Sequence, residues 1–262
     1  MNLENTKMIN LKNKSIVVTG GTKGIGIEIT KSFLKQNSRV FVIARQKPKR
    51  IIQARGNKAI FIECDIRKIK SLDNAIKEIK KLSKSIDVLI NNVGGAPMAN
   101  ALNVSHKFHE AVIDLNLIAP LNVSQKFAKI MMKQKTVSNI INISSVTATR
   151  PTPGSAAYGA AKGAVVNLTK TLAIEWAPKI KVNSIVVGYI ETENSIVHYG
   201  SKKEINKVAK RIPMKRMGKP EDVANACIFF ASSLADWITG SALEVHGGGE
   251  KPTYLEVAKP KK

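Results

Sequence analysis

The chain alternates short apolar runs with longer segments of helical periodicity. SIVVTG (15–20) is β-branched, continuous and closed by glycine, the pattern of a strand buried on both faces. GIEITKSFLKQN follows with helical spacing, and RVFVIAR (39–45) and KAIFIECDI (58–66) are a second and a third strand. LDNAIKEIKKLSK (72–84) sets Leu72, Ile76 and Ile79 on one face of an amphipathic helix. IDVLINNVGG (86–95) is a fourth strand, a helical region spans about 105–133, and NIINISS (139–145) is a fifth strand. A small-residue helix covers about 155–177, followed by the strand KVNSIVVG (181–188). A polar, Lys-rich helical stretch (193–210), the helix PEDVANACIFFAS (220–232) and a last strand SALEVHGG (241–248) complete the series.

Strands that are apolar on both faces and alternate with helices imply a parallel sheet covered on both sides. The expected fold is therefore α/β: a doubly wound parallel sheet of about seven strands with helices on both faces. No linker, repeat or composition break divides the chain, so one domain is expected over 11–249, with tails at 1–10 and 250–262. The last segment, KPTYLEVAKPKK, reads either as a mobile tail or as an arm packed on a neighbouring subunit.

Composition narrows the class. Hydrophobic residues form 44% of the 262, enough for a large core and too many for a disordered chain. No apolar run is long enough to span a membrane. The N-terminal stretch lacks the apolar core and cleavage site of a secretory signal. Cys64 and Cys227 lie far apart in apolar surroundings and read as buried free thiols, which fits a cytoplasmic protein.

Charge changes the picture further. Lys and Arg number 42 against 19 Asp and Glu, a net +23. Such a balance can signal nucleic-acid binding. Here the lysines are scattered, Arg occurs only eight times, and no nucleic-acid module is visible, so no specific nucleic-acid partner is expected. A Lys-rich surface would still attract phosphorylated cofactors or acidic carriers. His106 and His109 stand three apart on a helix without the companion ligands of a metal site, so no metal is expected.

TGGTKGIG (19–26) lies between the first strand and the first helix, the context that turns a glycine repeat into a nucleotide loop. Gly20 and Gly24 permit a tight backbone, Gly26 lets the helix pack near the strand, and the helix N-terminus offers N–H groups to a pyrophosphate. Gly21, Thr22, Lys23 and Ile25 complete the expected cradle, giving a Rossmann-like reading of the sheet. The spacing is G-x-x-x-G-x-G, and a plain turn of glycines is the alternative. An acid normally ends the second strand when the ribose 2′-OH must be held. None occurs between Glu28 and Glu63; the strand ends Ala44-Arg45. Lys23 and Arg45 suit a 2′-phosphate, so NADP(H) is expected, unless both are merely surface charges.

Two Tyr-x-x-x-Lys pairs occur, Tyr158–Lys162 and Tyr199–Lys203, and spacing alone cannot rank them. The ordered motifs TGGTKGIG (19–26), CDI (64–66), NNVGG (91–95), DLNLIAP (114–120), NISS (142–145), YGAAK (158–162), VGYIET (187–192) and GKPEDVANACIFFAS…ITGSALEVHGG (218–248) can. Over about residues 10–249 the sequence resembles the short-chain dehydrogenase/reductase family, near its 3-oxoacyl-carrier-protein reductases. The resemblance implies Tyr158 as proton donor and acceptor, Lys162 as its electrostatic activator, Ser145 as partner of the substrate carbonyl, and Asn116 as holder of a helix bend and a relay water. It implies that Asp65 and Ile66 contact adenine, that Asn92 and Gly94 line the adenosine side, and that Ile190 and Thr192 hold the nicotinamide amide. Ser145 lies 13 residues before Tyr158, whereas Val186, inside a strand, lies 13 before Tyr199. A free tyrosine titrates near 10, so Lys162 one helical turn away, together with oxidised nicotinamide, is expected to favour tyrosinate.

The substrate is expected to be a small carbonyl compound or alcohol, framed by residues 95–100, 147–155 and 188–212. Lys202, Lys203, Lys207, Lys210 and Arg211 suit an acyl chain carried on an acyl carrier protein or coenzyme A. A sugar, polyol or secondary alcohol, and a non-catalytic NADP-binding sensor, are the alternatives. Val187-Gly188 stands where the family has Pro-Gly, and His246 where an acid is frequent. The resemblance also implies a homotetramer.

Overall fold

Strands β1 (Ser15–Thr19), β2 (Arg39–Ala44), β3 (Ile60–Glu63), β4 (Val88–Asn91), β5 (Ser138–Ser145), β6 (Ile180–Val187) and β7 (Ala242–Val245) form one sheet in the computed structural model. Their order is β3-β2-β1-β4-β5-β6-β7, and every pairing is parallel. The structure describes residues 9–258; the outer parts of both expected tails lie outside the described residues. Successive side chains of a strand point to opposite faces, and two cores follow. Ile16 and Val18 of β1 pack with Ile29 and Phe33 of α1 (Gly24–Lys35) and with Val223, Cys227 and Phe230 of α8 (Pro220–Ala231). Val17 faces the other way, toward Leu72 and Ile79 of α2 (Ile69–Leu82), Phe127 of α4 (Ala119–Met131) and Leu172 of α5 (Ala156–Trp176). This is the expected doubly wound α/β fold. Among the described residues, no helix is long and apolar enough to cross a membrane.

Four local departures matter. The third strand begins only at Ile60, because Gln53–Ala54 and Asn57–Lys58 form a small antiparallel hairpin. Its turn residues Arg55 and Gly56 both have positive φ, the requirement of a tight hairpin. The helical region before β5 is not continuous: α3 (His106–Ile113) widens into a π-helical turn over Asp114–Ile118 before α4 begins. The Lys-rich stretch breaks at Gly200, φ +83°, into α6 (Ser195–Tyr199) and α7 (Lys202–Arg211), the latter started by a Ser201–Glu204 capping box. Cys64 and Cys227 are buried free thiols, as expected, and Trp176 packs on the second core. Trp237, expected in a core or an interface, is fully exposed.

The sheet has its switch point between β1 and β4, where the chain leaves one side of β1 for the other. Ligands of such sheets bind beyond the carboxyl ends of the strands at that crevice.

Candidate active site

The glycine loop sits at this crevice. Gly20 and Gly24 have φ of +66° and +53°, conformations that side chains resist. Gly26 makes the closest approach: a Cβ there would lie 2.2 Å from the Gly20 carbonyl. Thr30 Oγ1 donates to Gly21 O and Gly26 O and ties the loop to its helix. On the β4 side, Asn92 Nδ2 donates to Thr19 O at 3.0 Å, and Thr19 Oγ1 accepts from Asn92 N at 3.0 Å. Lys23 is the exposed residue preceding α1 and Thr22 is half-buried. The Gly24 N–H donates to Glu193 Oε1 at 2.9 Å. A carboxylate of the chain itself thus rests on the helix N-terminus, the place that suits a phosphate oxygen. The loop fits a dinucleotide: it offers close backbone approach and a donor already holding an anionic oxygen.

Beyond the ends of β4 and β5 the catalytic candidates converge. Ser145 closes β5, and its hydroxyl, which accepts from Thr147 N at 3.3 Å, stands near enough to Tyr158 in the first turn of α5 to lower the pKa of that phenol. Lys162 lies one turn further on, with its ammonium 5.7 Å from the Tyr158 ring centroid. Lys162 is 4% exposed, and its Nζ donates to the Ile143 carbonyl at 2.9 Å. Burial of this cation without a carboxylate partner lowers its pKa to about 8. Burial raises the Tyr158 pKa above its ordinary value, and the nearby Ser145 hydroxyl only partly counters this. The Lys162 ammonium is turned to a main-chain carbonyl and stands beside the Tyr158 ring.

Asn116 occupies the π-helical turn and is fully buried. Its Nδ2 donates to Val112 O and Gly95 O, and its Oδ1 accepts from Gly95 N. Gly94 lies between this side chain and Lys162. A Cβ on Gly94 would come within 2.8 Å of Asn116 Oδ1 and 2.9 Å of Lys162 Nζ. Behind these groups, Asn91 Nδ2 donates to Asn142 Oδ1, and Asn142 Nδ2 to Thr169 Oγ1, joining β4, β5 and α5.

Where adenine contacts are expected, Arg67 grips Asp65 with two hydrogen bonds, at 3.0 and 2.7 Å. Arg67 and Arg45 both hold the Asp65 carboxyl below its usual range. Ile66 is buried in the second core, so its side chain is committed there. Arg67 was not among the expected groups; its position beside Asp65 in CDIR was the available signal.

Ile25, Asn92, Gly94, Ser145, Tyr158, Lys162 and Ile190 line one cavity of about 820 Å³. Thr192 is outside this wall, its N–H bound to Ser195 Oγ. The expected cationic wall is corrected. Only Arg211 of the five named cations lines the cavity, while Lys202 pairs with Glu191 at 2.6 Å. An amphipathic helix turns one face inward, and α7 buries Ile205 there. The other cavity cations are Arg150, Lys162 and Lys251, and Glu250 and Lys251, assigned to a tail, form part of the wall with Gly249. His198 and Tyr199 line it as well. Sequence reasoning missed Arg150, Tyr189 and Glu250, which meet at the cavity from three distant segments.

The family model described as enoyl-(acyl carrier protein) reductase matches residues 20–250. Glucose 1-dehydrogenase 2 of Bacillus subtilis is 35% identical over 248 residues, covering 91% of this chain and 95% of that protein. The 3-oxoacyl-[acyl-carrier-protein] reductase FabG of Aquifex aeolicus is 34% identical over 247 residues, covering 92% and 98%. The solved structure of Thermoplasma acidophilum aldohexose dehydrogenase (AldT) in ligand-free form superposes with a TM-score of 0.86 at 31% identity, covering 97% of this chain and 98% of that one.

Proposed function

The chain belongs to the short-chain dehydrogenase/reductase family of nicotinamide-dependent oxidoreductases, and on that premise we propose that it is an NADPH-dependent carbonyl reductase working through Ser145, Tyr158 and Lys162. The observation that carries this reading is the convergence of these three side chains with Asn92, Gly94 and Ile190 on one cavity at the switch point.

The glycine loop 19–26 would hold the pyrophosphate, with Glu193 leaving the Gly24 N–H. Asp65 and the Ile66 backbone would meet adenine, Asn92 and Gly94 the adenosine side, and Ile190 and Thr192 the nicotinamide amide. When bound, the reduced cofactor supplies a hydride to the carbonyl carbon. The chain's task is to hold the carbonyl oxygen and bring it a proton. Ser145 and Tyr158 are two O–H donors on one cavity wall that can converge on one oxygen. Their bonds strengthen as negative charge develops there. The proton passes from the Tyr158 hydroxyl to the alkoxide, leaving tyrosinate. Burial keeps the phenol protonated at neutral pH, the form that reduction needs. The Lys162 ammonium opposes the new negative charge, and Asn116 fixes the backbone of Gly95 beside it.

NADPH is supported by Arg45 at the end of β2 and by Arg67, which flank Asp65 with positive charge. The competing reading, NADH, is favoured by Glu63, in register with Ala44 on the neighbouring strand. The substrate reading is a 3-oxoacyl thioester, supported by the Aquifex reductase. The rival, a sugar or secondary alcohol, is supported by the glucose and aldohexose relatives. The reading includes a cytoplasmic homotetramer, supported by two buried free thiols and by the exposed Trp237; light scattering tests the assembly. Cofactor oxidation measured with NADPH and NADH against 3-oxoacyl thioesters, ketones and aldoses tests the rest. Equal use of NADH refutes the cofactor reading, and no turnover of any carbonyl refutes the enzyme reading.

A further inference from the structure

The cavity wall opposite the reacting groups carries an arrangement that carbonyl reduction does not use. Arg150, in the turn after β5, sends its Nη2 to the Tyr189 hydroxyl at 2.8 Å and to Glu250 Oε1 at 2.7 Å. The Tyr189 hydroxyl itself donates to the same Glu250 oxygen. Burial and the neighbouring carboxylate push Tyr189 up to about 12, so the phenol keeps the proton it donates. One carboxylate oxygen thus receives a guanidinium N–H and a phenol O–H, a strong charge-assisted pairing. Arg150 is held from below as well: Nη1 donates to Thr152 Oγ1 at 2.9 Å, and the guanidinium carbon stands 5.7 Å from the Tyr189 ring centre. The fork is therefore fixed before any ligand arrives.

The carboxylate, in contrast, stands outside the sheet and its helices, after a run of three glycines. Glu250 follows Gly247, Gly248 and Gly249, with φ of +69°, +96° and +73°. Its side chain is 45% exposed against 27% for Arg150. It is the one acid among the described residues of the cavity lining, against Arg150, Lys162, Arg211 and Lys251.

We propose that Arg150 and Tyr189 form a receptor for a carboxylate at the far end of the substrate, and that Glu250 fills this receptor from within the chain until such a substrate displaces it. This inference rests on the carbonyl-reductase reading of the same cavity, and it sets oxo acids with a free carboxylate against the 3-oxoacyl thioester as the substrate class. Tyr189 also stacks edge-on against Tyr199 at 5.9 Å, which fixes its phenol beside the guanidinium. The reaction is ordinary ketone reduction: hydride to carbon, the Tyr158 proton to oxygen, and NADPH oxidised to NADP⁺.

The test uses 4-oxopentanoate, 5-oxohexanoate and 6-oxoheptanoate, each beside its methyl ester and its coenzyme A thioester, with NADPH oxidation as the readout. In the native protein, kcat/KM for the free acid should exceed that for its ester by at least about 30-fold at the best chain length, about 2 kcal/mol of discrimination. Arg150→Met should reduce this acid-to-ester ratio toward one. Arg150→Lys should restore only part of it, because an ammonium lacks the planar fork. Glu250→Gln, which removes the internal competitor, should lower KM for the acid several-fold. An ester or thioester used as well as the acid overturns the proposal, as does a ratio that Arg150→Met leaves intact. If no carbonyl is reduced, the enzyme reading has failed separately. The melting temperature with non-reducible adipate then decides: a rise that Arg150→Met abolishes supports the receptor, and no rise overturns it.

Discussion

Replacing Lys162 by methionine should stabilise the protein at neutral pH while removing its activity, and the two effects have one origin. The ammonium is 4% exposed, and its hydrogen-bond partner is a carbonyl rather than a carboxylate. A lysine that titrates at 10.5 in its ordinary setting is brought to about 8 here. Below pH 8 both folded and unfolded states carry the proton, and the folded state bears the full cost of the buried charge. At about 1.4 kcal/mol for each pKa unit, that cost is on the order of 3 kcal/mol. Methionine is close in length and carries no charge, but it leaves the Ile143 carbonyl without this donor, a loss of about 1–2 kcal/mol. The net expectation at pH 7 is a gain of about 1–2 kcal/mol. As pH rises from 8 toward 10.5, the folded native protein has lost its proton and the unfolded chain still holds one. Native stability therefore climbs relative to the variant. The advantage of Lys162→Met should vanish and reverse near pH 10. Urea unfolding at fixed protein concentration, followed by circular dichroism at pH 7, 8.5 and 10, reads the difference directly. A stability difference that is the same at all three pH values refutes the reasoning.

Tyr158→Phe should lower kcat for carbonyl reduction by about 10²–10⁴-fold, because the alkoxide loses its proton donor; NADPH affinity, followed by fluorescence titration, should stay within a few-fold, and full activity would remove Tyr158 from the mechanism. Gly94→Ala should cost about 1–3 kcal/mol, since its methyl would come within 2.8 Å of Asn116 Oδ1 and 2.9 Å of Lys162 Nζ. A melting temperature equal to that of the native protein would show that these groups yield freely. Glu193→Ala should tighten NADPH binding by about 3–10-fold, the equivalent of one modest hydrogen bond at the Gly24 N–H no longer competed for. An unchanged or weaker dissociation constant by calorimetry would rule out that competition.

What was readable in the sequence obeys a local rule. The strands announce themselves as apolar runs, and the glycine loop by lying between one of them and a helix. Ser145 and Tyr158 could be paired because one ends a strand and the other begins the next long helix. The fork at Arg150 obeys no such rule. Its partners Tyr189 and Glu250 lie 39 and 100 residues further along the chain, and no periodicity connects them. Glu193 on the Gly24 N–H spans 169 residues in the same way. The lysines of α7 misled for a related reason: composition shows that a segment is basic, but only packing shows which side of it faces the cavity. Even the tyrosine pKa was legible only in part, since the i,i+4 spacing of Tyr158 and Lys162 holds while the ammonium turns to Ile143.

The division of the cavity wall bears on how such a protein can change over generations. Ser145, Tyr158, Lys162 and Asn116 stand on strands and helices that share the two cores, so moving any of them disturbs the sheet. Tyr189, His198, Tyr199, Arg211 and Glu250 belong instead to segments laid over the sheet's edge around a small cluster of their own, Ile205, Ile212 and Met217. Exchanges there reach the proton path at one point, where Tyr199 bears on Tyr158. A designer can thus redraw what is recognised by replacing the segment between β6 and α8, keeping α8 and β7 where the core and the sheet need them.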